Sequence, residues 1–308
     1  MLSLYTLKSA SDASKYYQQG DYYTKGGADE YSLWLGKGAE RLGLNGRVDF
    51  NTFKGLLEGY LPNGQVMSQV EKGQYHRPGY DLTFSAPKSV SILALVAGNQ
   101  KILEAHRKAV KETVEKLEEK YAGCRNKENG VINIERTKNF TVAAFEHSDS
   151  REGDPNLHTH CVLTNVTQRA DGNWRTVYAD ELYNDKLLNG MEYRSALAHE
   201  LMALGYEIEI DQNGLFEIKG IDKHLLSAYS KRRAEIEQWL KDNQRTGGKA
   251  AADANFLTRA AKVHANPQER QERWIKELNI LGSSLEKLNA IAEPVSYTHL
   301  TLPTILLV

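Results

Sequence analysis

The chain has 308 residues, 41% hydrophobic and 26% charged, with a formal net charge of −1, which leaves room for one large domain or two small ones around a proper core. Near-neutrality excludes a general polyanion binder, because nonspecific nucleic-acid affinity needs Lys and Arg in excess; any nucleic-acid site must be local. No run approaches the roughly 18 apolar residues of a membrane span, the first residues lack the layout of a signal peptide, and two cysteines, Cys124 and Cys161, exclude a disulfide framework and fit a reducing cytosol.

Strands and helices alternate along the chain. Residues 2–7 and 80–84 read as short strands. Ser85-Ala86-Pro87 after the second supplies a capping hydroxyl and a first-turn proline for a helix reaching about Ala97. Over 101–121, Leu103, Val110, Val114, Leu117 and Tyr121 recur at helical spacing opposite a Glu/Lys face. Residues 140–147 and 157–166 are rich in β-formers and flank a polar loop, an antiparallel pair. A helix over 185–204 is closed by Gly205, and 206–210 turns through Asp211-Gln212-Asn213-Gly214 into 215–218 as a hairpin. Residues 222–281 look helical and highly charged. Val295 to Thr304 matches, codon by codon, the transposase mosaic-end adapter of sequencing libraries; residues 295–308 are therefore expected to be a scar, with the native gene continuing past about Pro294.

Histidine carries the first chemical signal. His158-Thr159-His160 heads a strand, where residues two apart share a face, and His147 ends the preceding strand, so antiparallel pairing can converge three imidazoles on one point. Three neutral nitrogens make a divalent-metal site with open positions; histidines merely placed at a strand end are the alternative. Cys161 faces away by the same parity. Tyr16-Tyr17 and Tyr22-Tyr23 crowd four phenols into one short segment. They suit aromatic packing or a stacking platform for bases, or a tyrosine nucleophile, whose phosphoester retains the phosphodiester linkage for later reversal. Asp81, on its strand, can accept a ring N–H from a ligating His or help take a phenolic proton. Lys88 near a helix start and Arg151 in the loop between the histidines are candidate phosphate contacts. Lys231-Arg232-Arg233 lies beside Glu235 and Glu237 and reads as a solvated face.

Taken together, Lys15-Tyr16-Tyr17 with Tyr22-Tyr23, then Gly36-Lys37-Gly38-Ala39-Glu40, then the run from His76 through Asp81-Leu82-Thr83-Phe84-Ser85-Ala86-Pro87-Lys88 to Ser91, then Pro155-Asn156-Leu157-His158-Thr159-His160, resemble the N-terminal relaxase domain of the TraI/TrwC conjugative relaxases, the MobF type. The likeness is strong to about Tyr206 and weaker from there to Pro294. It implies an α+β fold of the His-hydrophobic-His endonuclease superfamily, with a central antiparallel sheet flanked by helices. The catalytic core would span 1–220 and the helical region of the domain 221–294, with 222–281 the candidate for part of a clamp over single-stranded DNA. It also implies a metal-dependent enzyme that nicks and religates one DNA strand at a plasmid transfer origin through a 5′-phosphotyrosine, initiating conjugative transfer.

By that resemblance Tyr16 is the first nucleophile, Tyr17 its partner, and Tyr22 or Tyr23 the residue of a second transfer. His147, His158 and His160 are metal ligands and Asp81 the active-site carboxylate. Thr159 stands where the wider superfamily has a bulky apolar residue. Mg²⁺ or Mn²⁺ is the expected ion, although imidazoles bind Zn²⁺ or Ni²⁺ more tightly on intrinsic preference. The implied partners are single-stranded origin DNA, relaxosome accessory proteins and a type IV secretion coupling protein. The implied setting is a monomer in the bacterial cytoplasm, off the membrane, that can travel with the DNA into the recipient. No Gly-rich Lys-Ser/Thr nucleotide motif occurs in the chain. Three rivals remain: a rolling-circle replication initiator, which normally has another motif order; a noncatalytic DNA-binding module with a structural metal; and a hydrolase that uses water.

Overall fold

The computed structural model describes residues 2–19, 31–258 and 266–292; the expectations for Tyr22, Tyr23 and 295–308 lie outside them. The elements in chain order are β1 (Leu2–Thr6), α1 (Ala10–Gln19), β2 (Ser32–Leu35), α2 (Lys37–Arg41), α3 (Phe50–Glu58), α4 (Ser68–Glu71), β3 (Gly79–Ser85), α5 (Lys88–Leu95) and α6 (Gln100–Tyr121). There follow β4 (Gly123–Glu128), β5 (Val131–Arg136), β6 (Val142–Asp149), β7 (Pro155–Thr164), β8 (Thr167–Gln168), β9 (Trp174–Arg175), α7 (Asp180–Asn184) and α8 (Lys186–Ala203). The C-terminal part holds β10 (Ile208–Ile210), β11 (Phe216–Ile218), α9 (Lys223–Ala228), α10 (Lys231–Asp242), α11 (Gly248–Leu257), α12 (Pro267–Ile280) and α13 (Leu285–Ala292).

A five-stranded antiparallel sheet of order β1-β3-β7-β6-β2 forms the centre. Both of its faces are covered, so its inner strands are buried on both sides, one face apolar and the other carrying polar side chains among its packed residues. One face contributes Leu82, Phe84, Val142, Ala144, Cys161 and Leu163 to a core shared with buried residues of α5, α6 and α8. Leu225, Tyr229, Trp274, Leu278 and Leu288 of the C-terminal helices join that same cluster. The other face packs Ala143, Phe145 and Val162 against Ala13 of α1 and Phe53, Leu56 and Leu57 of α3. Residues 81, 83, 147, 158 and 160 share the parity of this second face.

Two sequence motifs prove to be close-packing devices. Gly36 has φ 91°, and a Cβ there would meet the Phe140 carbonyl oxygen at 2.4 Å; one on Gly38 would lie 2.7 Å from the same atom. That approach lets the Gly38 N–H donate to Phe140 O at 2.8 Å. The buried Glu118 carboxylate accepts from the Lys37 and Phe140 N–H groups, each at 2.7 Å. Burial raises the Glu118 pKa, and these two bonds oppose the rise. In the second motif, Ser89 Oγ accepts from Ile218 N–H at 2.8 Å and Ser91 Oγ from Leu157 N–H at 3.0 Å, stitching α5 to β11 and β7.

The cap expected of Ser85 is replaced by one from a distant element. α5 starts at Lys88 after Pro87, with no side-chain cap at the junction, and Glu217 of β11 accepts from the N–H groups of Ser89 (2.7 Å) and Lys88 (3.4 Å). A carboxylate suits the unsatisfied donors and positive pole of a helix start. Sequence patterning assigns nothing to 123–136, where the structure places the β4–β5 hairpin, although Asn129-Gly130 marks its turn. Both turn residues have positive φ, 50° and 84°, as a type I′ turn requires.

Candidate metal centre and active site

β6 and β7 pair so that His147 lies directly opposite His158, with His160 two residues further along the same face. The ring centroids are 4.8 Å (His147–His160), 5.2 Å (His147–His158) and 5.2 Å (His158–His160) apart. One nitrogen from each ring lies within 4.8 Å of the others. Metal–nitrogen bonds of about 2.1 Å put ligand nitrogens about 3.0–3.4 Å apart, so the three imidazoles can close on one divalent ion by ring rotations that draw the nitrogens together by up to about 1.8 Å. His147 and His160 are buried and His158 half-buried, which fits a site open on one side.

Outer partners fix how two of the rings present themselves. His160 Nδ1 lies 2.9 and 3.0 Å from the Asp81 carboxylate oxygens, and Thr83 Oγ1 donates to Asp81 Oδ1 at 3.1 Å. Asp81 and Thr83 reach His160 because β3 pairs with β7 in the register Thr83↔His160. His158 Nδ1 donates to the Asn156 carbonyl at 2.8 Å. That carbonyl is available because the pairing slips here: Asp149 faces Pro155, so Asn156 and Leu157 together oppose Ser148. A bulge takes backbone groups out of the ladder and turns them elsewhere. Acceptors beside Nδ1 in both rings favour the tautomer with the proton there and the lone pair on Nε2, the form a metal ligand needs.

Behind the ligand strand, Thr159 points into the opposite core. His106 Nε2 lies 2.8 Å from its hydroxyl and His106 Nδ1 2.8 Å from the Tyr193 hydroxyl. Burial holds His106 neutral, its pKa lowered to about 3, and pushes the Tyr193 phenol upward. A threonine between His158 and His160 is thus satisfied by a buried polar chain where an apolar residue would need none. Cys161, on the same rear face, is fully buried with its thiol pKa raised by burial, away from the triad as its parity requires.

The remaining candidates fall in different places. α1 carries Tyr16 and Tyr17 one turn beyond Ala13, which packs on the triad's face of the sheet. Arg151 sits in the turn between β6 and β7. Lys88 has turned inward: its ammonium donates to Pro155 O at 2.8 Å, and burial lowers its pKa to about 8 against the opposing charges of Asp154 and Glu217. A cleft of about 500 Å³ adjoins the triad, with His147, Ser148, Arg107, Arg270, Gln271 and Trp274 on its walls. Asn156, Thr83 and His106 escape a reading by motif because each acts only through strand pairing or packing. The Asn156 position alone carries a signal, lying two residues before His158.

The chain was compared with known proteins. The TrwC relaxase family model matches residues 10–281. The multifunctional conjugation protein TraI of Escherichia coli is 37% identical over 305 residues, 95% of this chain and 17% of that protein, and TraI of strain K12 is 36% identical over the same length. The chain therefore spans about a sixth of the curated relatives it matches. Solved structures of the conjugative relaxase TrwC agree in fold. A copper-bound complex with oriT DNA has TM-score 0.84 and 39% identity, and a metal-bound complex 0.83 and 38%. A complex with a 27-mer comprising the recognition hairpin and the cleavage site has 0.82 and 36%. Each match covers 92% of this chain and 100% of the other. By sequence, by fold and by the three converging imidazoles, this chain belongs to the TrwC relaxase family.

Proposed function

We propose that this domain nicks and religates one DNA strand, site-specifically, at a plasmid transfer origin, by tyrosine transesterification that starts conjugative transfer. The observation that carries the reading is the register-paired triad of His147, His158 and His160, with the proton positions of two rings fixed by Asp81 and Asn156. Relatives of the same fold crystallised with oriT DNA and with metal support the substrate class.

The three imidazoles would hold one divalent ion, Mg²⁺ or Mn²⁺ in the cell, which when bound supplies charge neutralisation at the scissile phosphate. Tyr16 provides the nucleophile. Its phenolic oxygen gives up its proton and attacks phosphorus in line; the bond from phosphorus to the 3′-oxygen breaks, and that oxygen leaves as a hydroxyl. The product is a 5′-phosphotyrosyl strand, and attack by a DNA 3′-hydroxyl reverses it without an outside energy source. Tyr17 stands beside the nucleophile, and Tyr22 or Tyr23 serves a second transfer. Asp81 acts through His160, as a positioning residue. Arg151, in the turn between the ligand strands, is a phosphate contact. Lys88 is withdrawn from that role, because its ammonium already serves the Pro155 carbonyl in a desolvated setting. Residues 1–220 are assigned as the catalytic core and 221–294 as its helical region, with 222–281 contributing part of a clamp over the bound strand. The setting is the cytoplasm of a bacterium, with relaxosome proteins and a secretion coupling protein as partners.

The deciding experiment incubates the chain with Mn²⁺ and labelled single-stranded oligonucleotides spanning candidate transfer origins, then resolves protein–DNA adducts under denaturing conditions. A covalent adduct, absent in Tyr16→Phe and in EDTA, is the expected result. Cleavage with no adduct would identify a hydrolase that uses water, and binding with no cleavage across origins and metals a noncatalytic module.

A further inference from the structure

The loop that joins the two ligand strands is held from outside the sheet. Arg270 of α12 pairs with the buried Asp149 carboxylate at 3.2 Å. Arg273 Nη2 and Trp274 Nε1, also from α12, both donate to Gly153 O, at 2.6 and 2.7 Å. The Asp154 carboxylate, 1% exposed, accepts the Lys231 backbone N–H at the head of α10 at 2.8 Å and pairs with Lys231 Nζ at 3.2 Å. Trp274 is itself fixed, 3% exposed in the main core, with its carbonyl accepting the Tyr229 hydroxyl at 2.6 Å. The clasp therefore grips 149, 153 and 154, and these residues lead straight into the bulge at Asn156 and Leu157.

That position matters for the metal centre. In a regular antiparallel ladder with His147 opposite His158, Asp149 would face Asn156; the observed partner is Pro155. The displaced residue is the one whose carbonyl holds the His158 proton on Nδ1. A hairpin with this slip is one residue from a regular register, and a one-residue change turns side chains to the other face. The anchored Asp149 and Asp154 fix the two ends of the loop on the slipped side.

We propose that α12, together with Lys231, is a positioning element of the metal centre: by gripping the 149–154 loop it sets the bulge, and so the His147–His158 spacing and the presentation of His158. The proposal rests on the reading of the triad as a metal centre and goes beyond a clamping role for the C-terminal helices. Metal affinity depends on groups outside the ligands, with outer-shell losses of about 10–100-fold on record.

The test is Mn²⁺ and Ni²⁺ binding without DNA, by titration calorimetry on the full chain, in the double variant Arg270→Met with Trp274→Phe. Leu278→Ala is the control, a core residue of α12 that lowers stability without touching the loop. Hydrogen exchange over 148–157 and melting temperature are recorded for each. The double variant is expected to bind both ions about tenfold or more weakly, with faster exchange over 148–157; Leu278→Ala should stay within about twofold of the parent while melting earlier. Arg270→Lys with Trp274 intact should recover most of the affinity. Unchanged affinity despite faster loop exchange would overturn the proposal, as would an equal loss in Leu278→Ala. A parent chain that binds neither ion would overturn the metal reading and the proposal together. Nicking is not the readout, so the transesterase reading stands or falls separately.

Discussion

Replacing Asp81 probes the link between sheet register and metal chemistry most directly. Its two oxygens lie 3.0 and 2.9 Å from His160 Nδ1, and Thr83 braces one of them at 3.1 Å. A carboxylate so placed on a metal-ligating imidazole fixes the ring proton and raises the basicity of the opposite nitrogen. Asp81→Asn keeps the volume and one acceptor oxygen but removes the charge, so the loss should sit near the low end of the usual range, about tenfold in Mn²⁺ affinity, or about 1.4 kcal/mol. Asp81→Ala removes the acceptor as well and should approach about 100-fold, or about 2.7 kcal/mol. Calorimetric titration measures both, with melting temperature as a check that the sheet persists and His160→Ala as the reference for a lost ligand. If Asp81→Ala bound Mn²⁺ within about twofold of the parent while His160→Ala lost it, the carboxylate would have no part in orienting the ring, and the reasoning would fail.

Two further perturbations test the packing that supports the site. His76 and His106 are both buried, with pKa lowered by burial to about 4 and about 3. Both stay neutral in the folded state while the unfolded chain protonates near 6.5, so their contribution is complete above pH 6.5 and is lost as pH falls toward 4 and then 3. Together they should give stability a slope of up to about 2.7 kcal/mol per pH unit between about pH 6 and 4. Denaturant titrations across that range measure it, and His106→Gln should remove about half of the slope. Gly38→Ala places a Cβ 2.6 Å from Thr141 Oγ1 and 2.7 Å from Phe140 O. It should lower stability by about 1–3 kcal/mol in chemical denaturation, and an unchanged midpoint would mean that the two segments can separate freely.

Much of the site was legible in the amino-acid sequence because strand periodicity is a local property. His158 and His160 share a face by the alternation of a β-strand, and Cys161 is excluded from that face by the same rule. The short polar loop after His147 dictates an antiparallel return, and so brings that residue beside the other two. Asp81 could be placed on a strand, but with two roles open. Composition fixed what the chain is not: too neutral for general polyanion binding and too poor in cysteine for a disulfide scaffold.

What only the tertiary structure decided depends on contacts between residues far apart in the chain. The β3–β7 register places the Asp81 carboxylate against His160 Nδ1, the contact that the orienting role requires. The slip that turns the Asn156 carbonyl toward His158 depends on where Asp149 and Asp154 are held, by residues more than seventy positions away on α10 and α12. Lys88 and Ser85 show the same limit in reverse. A lysine near a helix start suggests phosphate binding and a serine two residues before it suggests a cap, yet Glu217 supplies the cap and the Lys88 ammonium is drawn to Pro155 O. Local pattern determines which way a side chain points from its own strand or helix; partner choice is set by packing, because desolvated polar groups must find whatever complementary group the fold brings within reach.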